Sequence, residues 1–217
     1  MVAACRILSR EGLVRGFGHV SARIPDSDLF LLTPRVSLAL VQERDLLELN
    51  LKGEIVAGKL PAPFETPLHT AIFNGRSEVR AIARIHGRRA NMFSVTDRKI
   101  EPVHNHGSFF SGGVPVFSKT DLISTQRLGE EVAAALGKKP AILLRGNGQV
   151  TVGRMIAEAV MMAIYLEEAA DILYGALQIG APIPLSSEES ARGKEETLPP
   201  VDLERAWNFF KQKTEKK

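Results

Sequence analysis

The sequence predicts a three-layer α/β domain in which a mixed, largely antiparallel sheet lies between helical layers. Short runs rich in Val, Ile and Leu, among them "HVSARI", "LFLLT", "VRAIARIH" and "AILLRGNGQVTVG", are bounded by turn residues, as strands are. Segments with helical apolar spacing fall between them irregularly, and a hairpin bend at Lys52-Gly53 shows that helices and hairpins share one sheet. A chain of 217 residues, 44% hydrophobic and 24% charged, is enough for one ordinary domain with a sizeable core.

The elements follow in order. Val2, Ala3, Ile7 and Leu8 recur at helical spacing and Gly12 stops them, with Cys5 on the apolar, core-facing side. Two strands and the hairpin "LLELNLKGEIVAG" come next. A Pro-rich link, "LPAPFETP", leads to a helix beginning near Pro67, where a missing N–H is no loss. Strand "VRAIARIH" precedes a helix over "RRANMFSV", and "PVHNH" and "VPVF" read as further short strands. "TQRLGEEVAAAL" is a helix closed by Gly137, and "AILLRGNGQVTVG" is two strands around a tight polar turn. The long segment "MIAEAVMMAIYLEEAADILYGALQIG" is apolar nearly all round, so it packs on more than one neighbour, with a subunit contact a natural candidate. "LSSEESARGKEETLPP" is polar and weakly structured, and the amphipathic piece after it, with Trp207, Phe209 and Phe210, has to dock somewhere. The expected division is a domain over 1–185 and a polar linker with an amphipathic, basic tail over 186–217.

Charge and composition exclude several classes. The formal charge of +3 comes entirely from the last seven residues, "KQKTEKK", so the rest is balanced and nucleic acid is not an expected partner. Glu158, Glu167, Glu168 and Asp171 are too many charges for the long apolar segment to span a membrane. Cys5 alone makes no intramolecular disulfide and no thiolate cluster, and the N-terminus lacks the pattern of a signal peptide. Both suit a cytoplasmic protein.

Five polar segments interrupt apolar runs where strands end: "GFGHVSAR", "LLTPR", "PFETPLH", "RIHGRR" and "LLRGNG". Strand ends and the loops after them are where a sheet presents reactive groups, so the five are candidates for one cleft. Together and in this order they resemble the class II aldolase and adducin family over roughly residues 1–185. That family's pattern reads G-N-x-S-x-R, T-P-x-G, S-S-E, H-x-H-x-x-x-A and L-x-x-H-G. "GHVSAR", "TPR" and "LLRG" look most like its branch of hydroxylated aromatic dicarboxylate decarboxylases.

The resemblance implies the three-layer fold, a homotetramer with sites between subunits, and a divalent metal held by three histidines, with a glutamate moving the proton. Glu65 matches that glutamate. "ARIHGRRA" puts His86 on the second metal histidine and Arg84 on the first, and "LLRGNG" puts Asn147 on the third. A guanidinium has donors only and an asparagine oxygen replaces imidazole poorly, so the metal site, with His86 its one doubtful ligand, is expected to be lost and no cofactor needed. The alternative is zinc, manganese or iron in a remodelled site that recruits His19, His104 or His106.

Where the family's sugar-phosphate aldolases cradle phosphate, this chain has Gly18-His19-Val20-Ser21, Thr33-Pro34-Arg35 and Pro63-Phe64-Glu65. A flat Phe64 beside arginine suits a planar carboxylated substrate, because guanidinium pairs a carboxylate bidentately. The leading expectation is therefore a lyase that decarboxylates, or cleaves a C–C bond in, a small hydroxylated or keto carboxylic acid. Glu65 and His86 would be catalytic, with Arg84 and Arg35 gripping carboxylate and His19, Ser21, Thr33, Phe64, Asn147 and His104 around the substrate.

Other residues carry plainer expectations. His69 lies four residues after Glu65 and is expected to bond near it; His104 and His106 share a strand face, as a ligand pair or as polar surface. Arg88 and Arg89, at a helix start, are expected to be solvated rather than to bind an anion, and Arg145 to be in a buried ion pair or the site. The other functional expectations are a metal-free, adducin-like assembly module using "AWNFFKQKTEKK", and a metal-dependent aldolase or decarboxylase with the remodelled site.

Overall fold

The computed structural model describes residues 1–197 and 200–215. The elements are α1 (Val2–Arg10), β1 (His19–Arg23), β2 (Leu29–Leu32), β3 (Leu47–Asn50), β4 (Ile55–Ala57), α2 (Thr66–Gly75), β5 (Ala81–Ile85), α3 (Arg88–Phe93), β6 (Val116–Phe117), α4 (Gln126–Leu136), β7 (Ala141–Leu144), β8 (Gln149–Gly153), α5 (Ile156–Ile179), α6 (Ser187–Thr197) and α7 (Pro200–Glu215). Eight strands form one sheet in the order β4-β3-β2-β1-β5-β8-β7-β6. Every pairing is antiparallel except β6 with β7.

Strand alternation divides the core. Ile82, Ile142 and Leu144 point to one face, where they meet Leu68, Ile72, Leu128 and Val132 of α2 and α4. Their sequence neighbours Ala83, Ile85, Ala141 and Leu143 point to the other, against α1, α3 and α5. Successive strand side chains face opposite ways, so strands covered on both sides read as continuous apolar runs. The α2–α4 contact is unusually close: a Cβ on Gly129 of α4 would lie 2.3 Å from the Pro67 carbonyl oxygen of α2.

Three expectations about local structure are corrected. "PVHNH" is not a strand; a 3-10 helix runs over Asn105–Phe110, outside the sheet, and His106 stacks on Tyr165 of α5. Residues 187–197 are helical rather than weakly structured. Ser186 and Glu189 form a reciprocal cap, Ser186 N–H donating to Glu189 Oε2 (2.7 Å) and Glu189 N–H to Ser186 Oγ (3.1 Å). Arg89 is not merely solvated: it pairs with Asp171 and lies 4.5 Å from the Tyr174 ring centre, while the Glu167 carboxylate accepts its backbone N–H. Leu198 and Pro199, which close the polar stretch, lie outside the described residues. The tail docks, with Leu203, Ala206, Trp207 and Phe210 of α7 packed on the cores beneath α1 and α5. Cys5 is fully buried, as expected of a core residue.

Candidate active site

The antiparallel register of β1 and β5 sets His19 opposite Arg84 and Ser21 opposite Ile82. All four therefore share the sheet face covered by α2. Glu65 is the residue that opens α2, with Pro67 in its first turn, and His69 lies one turn further on. The strands bring up the His19 imidazole, the Ser21 hydroxyl and the Arg84 guanidinium, and α2 brings the Glu65 carboxylate and the His69 imidazole.

Both basic groups meet one carboxylate oxygen. Arg84 Nε lies 3.1 Å and His19 Nε2 3.3 Å from Glu65 Oε2. Glu65 Oε1 is buried without a hydrogen-bond partner among the described residues, and Arg84 Nε approaches Oε2 off the hydrogen-bonding axis, so that contact is an ion pair. Burial alone would raise the Glu65 carboxyl; the hydrogen bond from His19 and the charge of Arg84 outweigh it and hold the carboxyl at about 2. Glu65 is held as an anion.

From Oε2 a chain runs inward. His19 Nδ1 is 2.6 Å from His69 Nε2, and His69 Nδ1 is 2.6 Å from Ser21 Oγ. Because the carboxylate only accepts, His19 Nε2–H must donate to it, which leaves His19 Nδ1 to accept from His69 Nε2–H and His69 Nδ1 to accept from the Ser21 hydroxyl. Two neutral rings thus have every nitrogen satisfied, and burial holds both histidines below their ordinary value. His69, expected to bond near Glu65, does so at one remove, through His19.

Arg84 also donates from Nη1 to the Ile85 carbonyl oxygen (2.8 Å) and meets His86 Nε2 at 3.3 Å. A guanidinium cannot accept, so His86 Nε2 accepts and Nδ1 carries the ring proton. Burial, then the charge of Arg84, lowers His86 to about 4. Gly148 seats against this pair: at φ +81 a Cβ there would lie 2.8 Å from Arg84 Nη1 and 3.0 Å from His86 Nδ1. The turn that carries the neighbouring Asn147 is thereby brought to the same strand end.

In front lies a cleft of about 300 Å³ whose lining includes His19, Glu65 and His86 at the back and Arg35, Phe64 and Phe17 at the mouth. The Arg35 guanidinium carbon lies over the Phe64 ring, 4.3 Å from its centre. Ser21, Thr33 and Arg84 are buried behind the lining. The Thr33 hydroxyl accepts from Val20 N–H (3.0 Å) and joins β1 to the end of β2. Arg84, 1% exposed, meets Glu65 and His86 and is not among the residues that line the cleft. His104 is not brought to the cleft within one chain, and Arg145 is exposed on the turn, not in a buried pair.

The sequence profile of the "Class II Aldolase and Adducin N-terminal domain" matches residues 1–174. The chain belongs to this family. It is 32% identical to a 3,4-dihydroxyphthalate decarboxylase of Terrabacter sp. (strain DBF63), over 92% of this chain and 84% of that protein. A second 3,4-dihydroxyphthalate decarboxylase, from Arthrobacter keyseri, is 30% identical, over 78% of this chain and 74% of the relative. Among solved structures, L-fuculose 1-phosphate aldolase from Glaciozyma antarctica PI12 superposes with a TM-score of 0.85 at 26% identity, over 99% of this chain and 86% of that one. Among the described residues of this class II aldolase domain no helix is long and apolar enough to cross a membrane. The Ser21–His69–His19 chain behind Glu65 escaped sequence reasoning; the four-residue spacing of Glu65 and His69 was its one local trace.

These depressed values make a pH prediction. An unfolded chain takes up protons on histidine near 6.5 and on glutamate near 4.5, whereas the folded protein holds His86 at about 4, Glu65 at about 2, and His19 and His69 below 6.5. The unfolded state therefore binds more protons as pH falls below about 6.5, and stability declines from there through pH 4. Urea midpoints are expected to be level between about pH 7 and 8 and to fall steadily between about pH 6.5 and 4. A midpoint that is flat across the acid range contradicts the assignment.

Proposed function

We propose that this class II aldolase domain is a carbon–carbon lyase that decarboxylates a small hydroxylated aromatic or keto carboxylic acid, with no metal in this cleft. The observation that carries the proposal is Glu65, an ionised carboxylate that lines the back of a cleft whose mouth holds the Arg35–Phe64 pair. The residues present do not fit the family's divalent metal. Arg84 has only donors, its Nη1 occupies the lone pair of His86 Nε2 at 3.3 Å, and its charge would repel a cation.

In this reading the substrate carboxylate pairs with Arg35 and its planar body rests on Phe64. A substrate hydroxyl donates to the Glu65 carboxylate, which lines the cleft. The incoming anion adds like charge beside Glu65 and raises it towards a range in which it can take that proton. The bond to the carboxylate carbon then breaks, CO2 leaves, and the electron pair stays on the substrate in the field of buried Arg84. Glu65 returns the proton to that carbon, and a solvent proton restores the hydroxyl, so one proton is consumed per CO2 released. Retro-aldol cleavage of a hydroxy-keto acid would begin with the same deprotonation. Phe17, 80% exposed at the cleft mouth, supports a further proposal, that neighbouring subunits of a homotetramer complete the site.

The test is release of CO2 from a panel of ortho-hydroxylated benzoates, phthalates and β-keto acids, before and after dialysis against a chelator. With the substrate that turns over, Arg35→Ala is expected to raise KM about 10- to 100-fold, the worth of a charge-assisted bidentate contact, and to change kcat far less. Activity lost on chelation and restored by zinc or manganese in the His104→Gln protein as well as in the wild type would overturn the metal-free reading of the cleft. An unchanged KM in Arg35→Ala would remove Arg35 from substrate binding.

A further inference from the structure

Away from the cleft, one ligand atom from each of His104, His106 and Glu168 lies within 4.8 Å of the others. His106 Nδ1 is 3.0 Å from Glu168 Oε2, and His104 Nε2 is 4.0 Å from Glu168 Oε1. His106 already has its partner. His104 does not: both its ring nitrogens are buried and neither has a hydrogen-bond partner among the described residues. Burying both nitrogens of an imidazole without partners is costly. A Cβ at position 107 would come within 3.1 Å of His104 Nδ1, so the ring needs Gly107 above it, and Gly107 N–H donates to the His104 carbonyl oxygen at 3.0 Å. The His106 ring is fixed as well, stacked on Tyr165 with ring centres 4.1 Å apart.

We propose that His104 Nε2, His106 Nδ1 and Glu168 bind one divalent transition metal of the zinc class, with water completing the coordination. Two imidazoles and one carboxylate are a donor set that zinc favours and that calcium and magnesium, which want oxygen, do not. Metal–ligand bonds of about 2.0–2.1 Å in a tetrahedron put ligand atoms roughly 3.3–3.4 Å apart. With one ligand atom from each residue, all three lie within 4.8 Å of one another, so side-chain movements of about 1.5 Å or less bring them to that spacing. Glu168 also lines a separate open depression with Glu11, Arg88, Arg89 and Glu167. A bound ion would tie the 3-10 helix to α5. The same 3-10 segment meets α6, where Lys194 Nζ donates to Ser111 Oγ at 2.6 Å, so the clasp would hold three elements of the outer layer together.

The experiment is calorimetric titration of zinc chloride into the chelator-stripped, full-length protein, with cobalt absorption spectra as the second readout. Expected are about one zinc per chain at micromolar or tighter Kd, a rise in Tm with zinc, and tetrahedral cobalt bands. His86→Ala is expected to keep all three, whereas His104→Gln and Glu168→Gln are expected to weaken binding about 100-fold or more. No binding by the wild type at 100-fold excess zinc, or binding kept by His104→Gln and lost by His86→Ala, would overturn the proposal. Should a variant fail to fold by circular dichroism, anomalous scattering at the zinc edge from wild-type crystals decides. A peak between the three side chains supports the site, and a peak elsewhere or none overturns it.

Discussion

Glu65→Gln is expected to lower kcat of the decarboxylation by about three orders of magnitude or more, because the substituted amide can neither take a hydroxyl proton nor return one to carbon. KM should change little, since the carboxylate grip belongs to Arg35 at the other side of the cleft. The variant keeps the shape of the side chain but leaves the cation of Arg84, 1% exposed, without its counter-ion, so assays belong well below its lowered Tm. Full activity in a folded Glu65→Gln protein would end the catalytic reading and favour the adducin-like assembly role. A loss confined to KM would make Glu65 a binding group alone.

Arg84→Met carries the second large effect, and it falls on stability. The substitution strands the buried Glu65 carboxylate, and removal of one member of a buried pair typically costs about 3–5 kcal/mol. For a chain of this size that is a fall in Tm of roughly 10 °C. The double variant Glu65→Gln/Arg84→Met leaves no buried charge at this pair and is expected to recover much of the loss, so the two substitutions are far from additive in a thermal or urea double-mutant cycle. Additive losses would mean that the ion pair contributes little. In the single Arg84→Met variant His86 also loses the charge that helps depress it, so its ring is expected to titrate above about 4, a shift readable by NMR.

Much of this architecture could be read from the chain. Strands buried on both faces leave continuous apolar runs, and that is why "VRAIARIH" and "AILLRGNGQVTVG" were found, together with the turn glycine that seats against Arg84 and His86. "PVHNH" failed as a strand because alternation over five residues is satisfied equally by a turn whose histidines reach α5, and no sheet partner exists at that place. Helix α6 was missed because its polar composition outweighed a two-residue signal, Ser186 and Glu189, that capped it. Within the cleft, Glu65, His86, Arg35 and Phe64 were legible from residue type and order. What Arg84 does was not, since whether a guanidinium at a strand end grips a substrate or a protein carboxylate depends on which helix start lies across from it. That is a tertiary fact, set by α2.

The close seat of α2 on α4 bears on how this cleft can be changed. Gly129 touches no ligand, yet the space its missing side chain leaves is filled by the Pro67 carbonyl, two residues from Glu65. The height of the carboxylate above the sheet is thus set from the far side of a helix. Directed evolution that samples only the cleft walls would move substrate contacts while leaving the reactive oxygen where it is. Substitutions along the α2–α4 seam would shift that oxygen by fractions of an ångström without altering a single wall residue.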